Sequence, residues 1–347
     1  MNIHEKYIKR CIELAQNGLG TTYPNPMVGS VIVYNEMIIG EGWHRKAGEP
    51  HAEVNAINSV KDESLLKKAT IYVSLEPCSH FGKTPPCSDL IIAKGIKKVV
   101  IGTMDPFAKV AGRGIKKLMD AGCEVKIGKL EDQCQDLNKR FFTFHKKQRP
   151  YIILKWAQTQ DGYIAPEKKD EKRPVWITNK YSGQLVHKWR SEETAILVGT
   201  NTVLQDNPSL NVRKWTGKNP TRIVIDRDLK ISEDYSILDG KQKTIVLCKK
   251  KPTDSENENL IFEELDFSEN IAKEICEILY KHELQSVIIE GGSNTLQQFI
   301  DADIWDEARI FTGKSHFEKG VKAPEFSGNL VSGKTISGDN LKIYRND

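Results

Sequence analysis

A chain of 347 residues exceeds the size at which one hydrophobic core usually stops growing, so two domains are expected. Apolar content of 39% and charged content of 28% are those of an ordinary globular protein and exclude the disordered, collagen-like and membrane classes. The 51 basic against 47 acidic residues leave a net charge of +4 spread along the chain, which gives nucleic-acid binding no support.

In chain order, residues 3–17 place Ile8, Cys11, Ile12 and Ala15 at helical spacing, with Gly18 as the stop. The opening MNIHEKYIKR lacks the apolar run of a signal peptide, and no stretch reaches the roughly 18 to 20 apolar residues that cross a bilayer, so a cytoplasmic protein is expected. VGSVIVY and MIIGEGW are strand-like runs separated by Asn35-Glu36, which predicts a hairpin. A helix from His51 to Val60, the strand ATIYVSL, a helix from Pro86 to Lys94, the strand KKVVIGT, a helix over 113–121 and the strand CEVKIG follow. Such alternation predicts βαβ units and a mostly parallel sheet.

The segment 130–148 reads as one helix and ends at Arg149-Pro150, where proline disfavours helix at the preceding residue, so the expected domains are 1–149 and 150–347. Beyond it come the strand candidates YIILKWA, TAILVG, TRIVID, TIVLC, SVIIEGG and EARIFTG, with helices near 179–190, 268–282 and 294–300, a second α/β pattern. The polar run at 249–259 reads as a solvated loop. Seven cysteines, odd in number and irregularly spaced, do not form a disulfide framework.

Two of those cysteines sit where chemistry is expected. His51-Ala52-Glu53 opens one predicted helix, Pro77-Cys78 ends a strand and Pro86-Cys87 opens the next helix. His51, Cys78 and Cys87 supply three zinc ligands, and a site with three protein ligands keeps a position for water, as catalytic zinc sites do. Glu53 stands two positions after His51, off its helical face, and is expected to carry protons from the zinc-bound water rather than bind the metal. Helix N-termini beside the cysteines favour thiolate.

His51-Ala52-Glu53 with PCSHFGKTPPC, Pro77 to Cys87, resembles the zinc deaminase superfamily, whose signature is H-x-E with P-C-x-x-C. The eight residues between the cysteines depart from that spacing, and this long form, with NPMVG and HRKAGEPHAE, resembles the deaminase of riboflavin biosynthesis. The resemblance implies that Asn25, His44 and His80 line the pyrimidine pocket; without it, His44 reads as a surface histidine. The family usually has Asp-Pro-Asn where this chain has Asp105-Pro106-Phe107.

In the second domain no G-x-G-x-x-G follows a strand, so a Rossmann dinucleotide site is not expected. IEGGSNT, from Ile289 to Thr295, runs from a strand through two glycines into a helix that Ser293 or Asn294 could cap, a start suited to phosphate. LKWAQTQDG, WIT, TVLQDNPSLNVR, RIVID and the Glu-Gly-Gly turn occur in the order of the riboflavin-pathway reductase, which they resemble. Together the stretches resemble the bifunctional riboflavin-biosynthesis deaminase-reductase family. That family implies a cytidine-deaminase-like α/β/α domain followed by a dihydrofolate-reductase-like α/β domain, one Zn2+ per chain, NADPH, and phosphorylated pyrimidine substrates, with homo-oligomerisation left open.

By that resemblance Lys155, Asp206 and Glu290 join Glu53 as catalytic residues. Pro174, Arg190, Leu210, Arg213 and Glu290 contact substrate, and Gln158, Trp176, Thr202, Asp206, Arg227, Gly292, Ser293, Asn294 and Thr295 face the cofactor. Pro174 stands where the family commonly has serine. The residues themselves also admit plainer readings: tryptophan packing for Trp176, Trp189 and Trp215, a solvated Arg190, a turn-capping Asp206 and a Glu290 packed beside the glycines. Two other readings of the whole chain, a nucleic-acid deaminase and a binding module with structural zinc, are disfavoured by the charge distribution and by the missing fourth ligand.

Overall fold

The protein is described by a computed structural model covering residues 2–79, 81, 85–107, 111–169, 171–252 and 257–346, which fall into two units, 1–147 and 148–347. In the first unit, α1 (Ile3–Ala15) leads into the hairpin β1 (Gly29–Tyr34) and β2 (Met37–Trp43). The hairpin turns on Asn35 and Glu36, both at positive φ (47° and 61°), the conformation a two-residue turn of matching twist requires. Then come α2 (Ala52–Asn58), β3 (Thr70–Leu75), α3 (Cys87–Ala93), β4 (Lys98–Thr103), α4 (Arg113–Asp120), β5 (Glu124–Ile127), α5 (Glu131–Leu137) and α6 (Lys139–Lys147).

Strand periodicity sorts the core into two layers. Ile32, Ile71, Val73, Val99 and Ile101 face α2, α3 and α4 through Ile57, Ile91 and Leu118, whereas Val31, Val33, Tyr72 and Val100 face α1 through Tyr7, Ile8 and Cys11. The result is an α/β/α sandwich on a sheet of order β2-β1-β3-β4-β5. The sheet is mixed rather than mostly parallel. β2, β1 and β3 pair antiparallel and β3, β4 and β5 parallel, because the short hairpin turn reverses the chain before the βαβ units begin.

Gly18 ends the helical run as expected: the chain tightens into a 3-10 turn over Gln16–Gly18, and a Cβ at Gly18 would lie 2.9 Å from the His44 carbonyl, so glycine is needed there for close approach. One local expectation is corrected. The single helix over 130–148 is two helices broken at Asn138, whose φ of −105° and ψ of 24° leave the helical region. The buried Asn138 side chain accepts from Met27 N and donates to Met27 O, both at 2.8 Å, and so ties this break to the segment before β1. Asparagine competes for backbone partners in this way, which weakens helices from within.

The second unit comprises β6 (Tyr151–Gln158), β7 (Tyr163–Pro166), α7 (Lys180–Glu192), β8 (Ala195–Gly199), α8 (Thr200–Asp206), β9 (Thr221–Ile225), β10 (Thr244–Cys248), β11 (Leu260–Glu264), α9 (Ile271–Lys281), β12 (Ser286–Ile289), α10 (Ser293–Asp301), β13 (Glu307–Thr312), β14 (Gly320–Lys322), β15 (Asn329–Ile336) and β16 (Asp339–Arg345). The main sheet runs β11-β10-β9-β8-β12-β6-β13-β16-β15, parallel as far as β13 and antiparallel over the last two strands; β14 pairs with β7. α9 and α10 cover one face, with Ile275, Leu279 and Phe299 against Leu154, Leu197 and Ile289. α7 and α8 cover the other, where Trp189 and Val203 pack among Ile153, Val198 and Ile288. Since the strands from β11 to β13 are parallel, their carboxyl ends lie on one edge, where open α/β sheets bind ligands.

Asn138→Ala leaves the buried Met27 N–H and C=O without partners, so the first unit should lose about 2–4 kcal/mol of stability. Urea unfolding of the full chain, read by a probe in the first unit, measures this; a loss under about 0.5 kcal/mol, the range of an inert surface change, contradicts the role given to Asn138.

Candidate functional sites

In the first unit, three elements deliver three donor atoms to one point. His51 is the extended N-cap residue of α2, Cys78 follows β3, and Cys87 is the first residue of α3. His51 Nδ1 lies 3.6 Å from Cys78 Sγ and 3.3 Å from Cys87 Sγ, and all three donor atoms are within 4.8 Å of one another. Zinc bonds of about 2.0 Å to nitrogen and 2.3 Å to sulfur give tetrahedral edges of roughly 3.5–3.8 Å, so the donor set and its spacing fit Zn2+. The hydrogen bond from the Cys87 thiol holds the Cys78 thiol down to about 4, helped by His51, while the same bond and burial drive Cys87 up.

Glu53, in the first turn of α2, is 3% exposed. Burial pushes its carboxyl up to about 7 against the pull of His51. His44 is buried, not at the surface, because its ring nitrogens are both occupied. Nδ1 lies 3.2 Å from the Pro50 carbonyl, which can only accept, so Nδ1 carries the proton and Nε2 accepts from Asn25 Nδ2 at 3.1 Å. The His44 and His51 rings meet edge to face at 5.3 Å. His80 lies outside the described residues.

Sequence reasoning missed Glu76. Its buried carboxylate accepts the backbone N–H groups of Asp105 (3.3 Å), Gly112 (2.9 Å), Gly114 (2.9 Å) and Ile115 (3.2 Å), which binds the start of α4 to the segment that carries Cys78. A Cβ at Gly114 would stand 2.0 Å from the Pro77 carbonyl, so this contact requires glycine. An acid closing an apolar strand was the available signal, since a buried charge needs partners. Asp105, pushed up to about 6 by burial, accepts from Phe107 N at 2.8 Å, and Phe107 packs beside Leu75, Phe141 and Phe142.

In the second unit, a cavity of about 1760 Å³ opens at the carboxyl ends of β6, β8, β9 and β12. It exceeds the roughly 300–1,000 Å³ of an ordinary small-molecule site and has room for two ligands. Lys155, Pro174, Trp176, Arg190, Thr202, Asp206, Leu210, Arg213, Arg227, Glu290 and the turn from Gly292 to Thr295 all line it. Gln158 does not line it; its side-chain oxygen accepts from Nε1 of Trp156, itself a lining residue, at 2.8 Å.

Arg190 is not a solvated surface residue. Its Nε and Nη2 bind the two Glu290 oxygens at 3.1 and 2.6 Å, with Lys155 Nζ 3.9 Å from the same carboxylate. Burial alone would raise Glu290, but Arg190 and Lys155 hold it at about 2; burial lowers Lys155. Asp206 ends α8 and is paired with Lys169, a partner that sequence did not indicate. α10 is not capped by Ser293 or Asn294: Gly292, at φ 62°, is the N-cap and no side chain closes the end. Leu210 is buried in the left-handed region at φ 49°. Trp176 is 63% exposed on the rim, whereas Trp189 is core.

A three-donor metal site beside a buried carboxylate, followed by an α/β unit with a large cavity at its strand ends, defines a hydrolytic zinc domain joined to a ligand-binding α/β domain. Residues 1–103 match the cytidine and deoxycytidylate deaminase zinc-binding region, and residues 150–313 match the RibD C-terminal domain. The chain is 41% identical to the riboflavin biosynthesis protein RibD of Aquifex aeolicus (strain VF5) over 99% of its own length and 98% of the relative. It is 38% identical to RibD of Bacillus amyloliquefaciens over 99% and 90%. The crystal structure of a diaminohydroxyphosphoribosylaminopyrimidine deaminase/5-amino-6-(5-phosphoribosylamino)uracil reductase from Thermotoga maritima superposes with a TM-score of 0.89 at 37% identity, covering 99% of this chain and 98% of that one. The chain belongs to the RibD family and is a bifunctional zinc deaminase and reductase of riboflavin biosynthesis.

Arg190→Ala strands the Glu290 carboxylate with Lys155 alone and should cost about 3–5 kcal/mol at pH 7, measured by urea unfolding. The folded value of Glu290 lies below its ordinary 4.5, so its stabilisation is full above pH 4.5 and is lost as the pH falls towards 2. The variant should therefore lose that stabilisation at higher pH on acid titration; an unchanged acid midpoint contradicts the pairing.

Proposed function

We propose that the first domain, 1–149, hydrolytically deaminates 2,5-diamino-6-(5-phosphoribosylamino)pyrimidin-4(3H)-one, and that the second, 150–347, uses NADPH to reduce the ribosyl side chain, giving 5-amino-6-(5-phosphoribitylamino)uracil in the cytoplasm. The observation that carries the first step is the convergence of His51, Cys78 and Cys87 beside a buried Glu53. One Zn2+ held by these three residues supplies the Lewis acidity that makes water a nucleophile near neutral pH. Glu53, with a carboxyl near 7, would take one proton from the attacking water and deliver it to the ring nitrogen, then take the second from the added hydroxyl and deliver it to the departing amine. Asn25 and His44, fixed to each other, orient the pyrimidine.

The reductase reading is supported by the open N-terminus of α10, where backbone N–H groups behind Gly292 suit a dinucleotide phosphate. Thr202 and Thr295 flank it, and the exposed Arg227 suits the 2′-phosphate that distinguishes NADPH. Lys155, its proton loosened by burial, is the proton source for the opening sugar, and Glu290 holds it in place. Asp206, released from Lys169, contacts cofactor and sugar.

Glu53→Gln should abolish ammonia release and retain stoichiometric zinc by elemental analysis; zinc loss assigns Glu53 to the metal instead. Asp206→Asn should depress NADPH oxidation strongly, at least about tenfold, while ammonia release continues. Oxidation at the parental rate, with the deaminated intermediate supplied directly, removes Asp206 from the mechanism.

A further inference from the structure

The groups that act electrostatically on His187 are Arg190, Arg213, Lys214 and Glu290, three cations against one carboxylate that Arg190 already engages. Among the described residues Arg213 Nη1 reaches only the Asn211 side-chain oxygen, at 3.0 Å, and Lys214 Nζ stands over the Trp176 ring at 5.2 Å. His187, Arg190, Arg213, Lys214, Glu290 and Trp176 line the cavity, so this end of it carries uncompensated positive charge and suits an anion.

His187 stands three residues before Arg190 on α7, on the same helix face. It is 3% exposed, yet its ring forms part of the cavity wall. Its Nδ1 lies 3.3 Å from Arg213 N and accepts that N–H. A nitrogen that accepts carries no proton, so the proton of the neutral ring is on Nε2. Among the described residues Nε2–H has no hydrogen-bond partner, and it is not a sealed buried atom, so it opens towards the cavity that His187 lines.

We propose that His187 is a substrate-binding residue of the reductase site, its Nε2–H donating to an oxygen of the substrate's phosphate between Arg190 and Arg213. The inference rests on the reductase reading above. The Arg213 N–H fixes the tautomer, and burial with the surrounding cations keeps the ring neutral down to about 4, so the contact is a directed hydrogen bond rather than one more charge. The geometry thereby adds orientation to an end of the cavity that the arginines fill with charge.

Two substitutions in the full-length protein separate ligand contact from loop support. In His187→Gln the amide nitrogen reaches the position of Nε2 and still donates; in His187→Asn the carbonyl oxygen takes the position of Nδ1, still receives the Arg213 N–H, and stops short of the ligand. With the deaminated intermediate supplied, His187→Asn should raise the KM of the phosphorylated substrate about tenfold with little change in kcat or in the KM for NADPH, and His187→Gln should stay within about threefold. The reverse pattern, glutamine impaired and asparagine normal, would show that the ring only supports the Arg213 loop. A KM change for NADPH instead would assign the anion to the cofactor; either result overturns the proposal. If both variants fail to fold, histidine-15N-labelled parent protein titrated with inorganic phosphate decides it: the His187 Nε2 resonance should shift, and an unmoved resonance overturns the proposal. Absence of NADPH oxidation by the parent protein would sink the reductase reading itself, while the phosphate titration would still test the contact.

Discussion

A carboxylate buried at the end of an apolar strand or the start of a helix must find donors, or its proton affinity rises, and the structure turns on how three such groups are treated. Glu76 receives four backbone N–H groups and becomes an anchor for the metal-ligand segment. Glu290 receives a two-pronged arginine and a lysine and is held at about 2, a fixed charge in the cavity wall. Glu53 receives no such set, and its carboxyl rises to about 7, where it can both take and give a proton at neutral pH.

The surrounding architecture supplies these environments. β3 and β4 are parallel, so α2, the segment after β3 and α3 can bring His51, Cys78 and Cys87 together from separate elements, and the antiparallel hairpin closes the far edge of the sheet without disturbing them. In the second unit the parallel strands end on one edge, which puts Lys155, Glu290 and the glycine turn of α10 around a common space. The two sites share one logic: rigid strand and helix ends hold the reacting groups, and loops supply the rest.

Much of this was legible in the sequence because period and punctuation carried it. The zinc trio was readable from its Pro-Cys and His-x-Glu settings, and the α/β alternation from apolar runs. What was not legible depended on partners distant in the chain. Asn138 breaks a helix because of Met27, and His44 is buried because of Asn25 and Pro50. Arg190 is buried by Glu290, a hundred residues away. β15 shows little apolar alternation because most of its residues are exposed, so its hairpin with β16 gave no periodic signal. Lys169 and His187 matter through the contacts they make in space, which neither composition nor periodicity records.

The central claim is that one chain carries out two consecutive reactions at two separately built sites. The most direct measurement follows ammonia release and NADPH oxidation together in a single reaction of the purified zinc-loaded protein with the diaminopyrimidine ribotide. The account predicts ammonia first, then NADPH oxidation approaching one equivalent per ammonia. Ammonia without NADPH oxidation, or NADPH oxidation that precedes any ammonia, would contradict it.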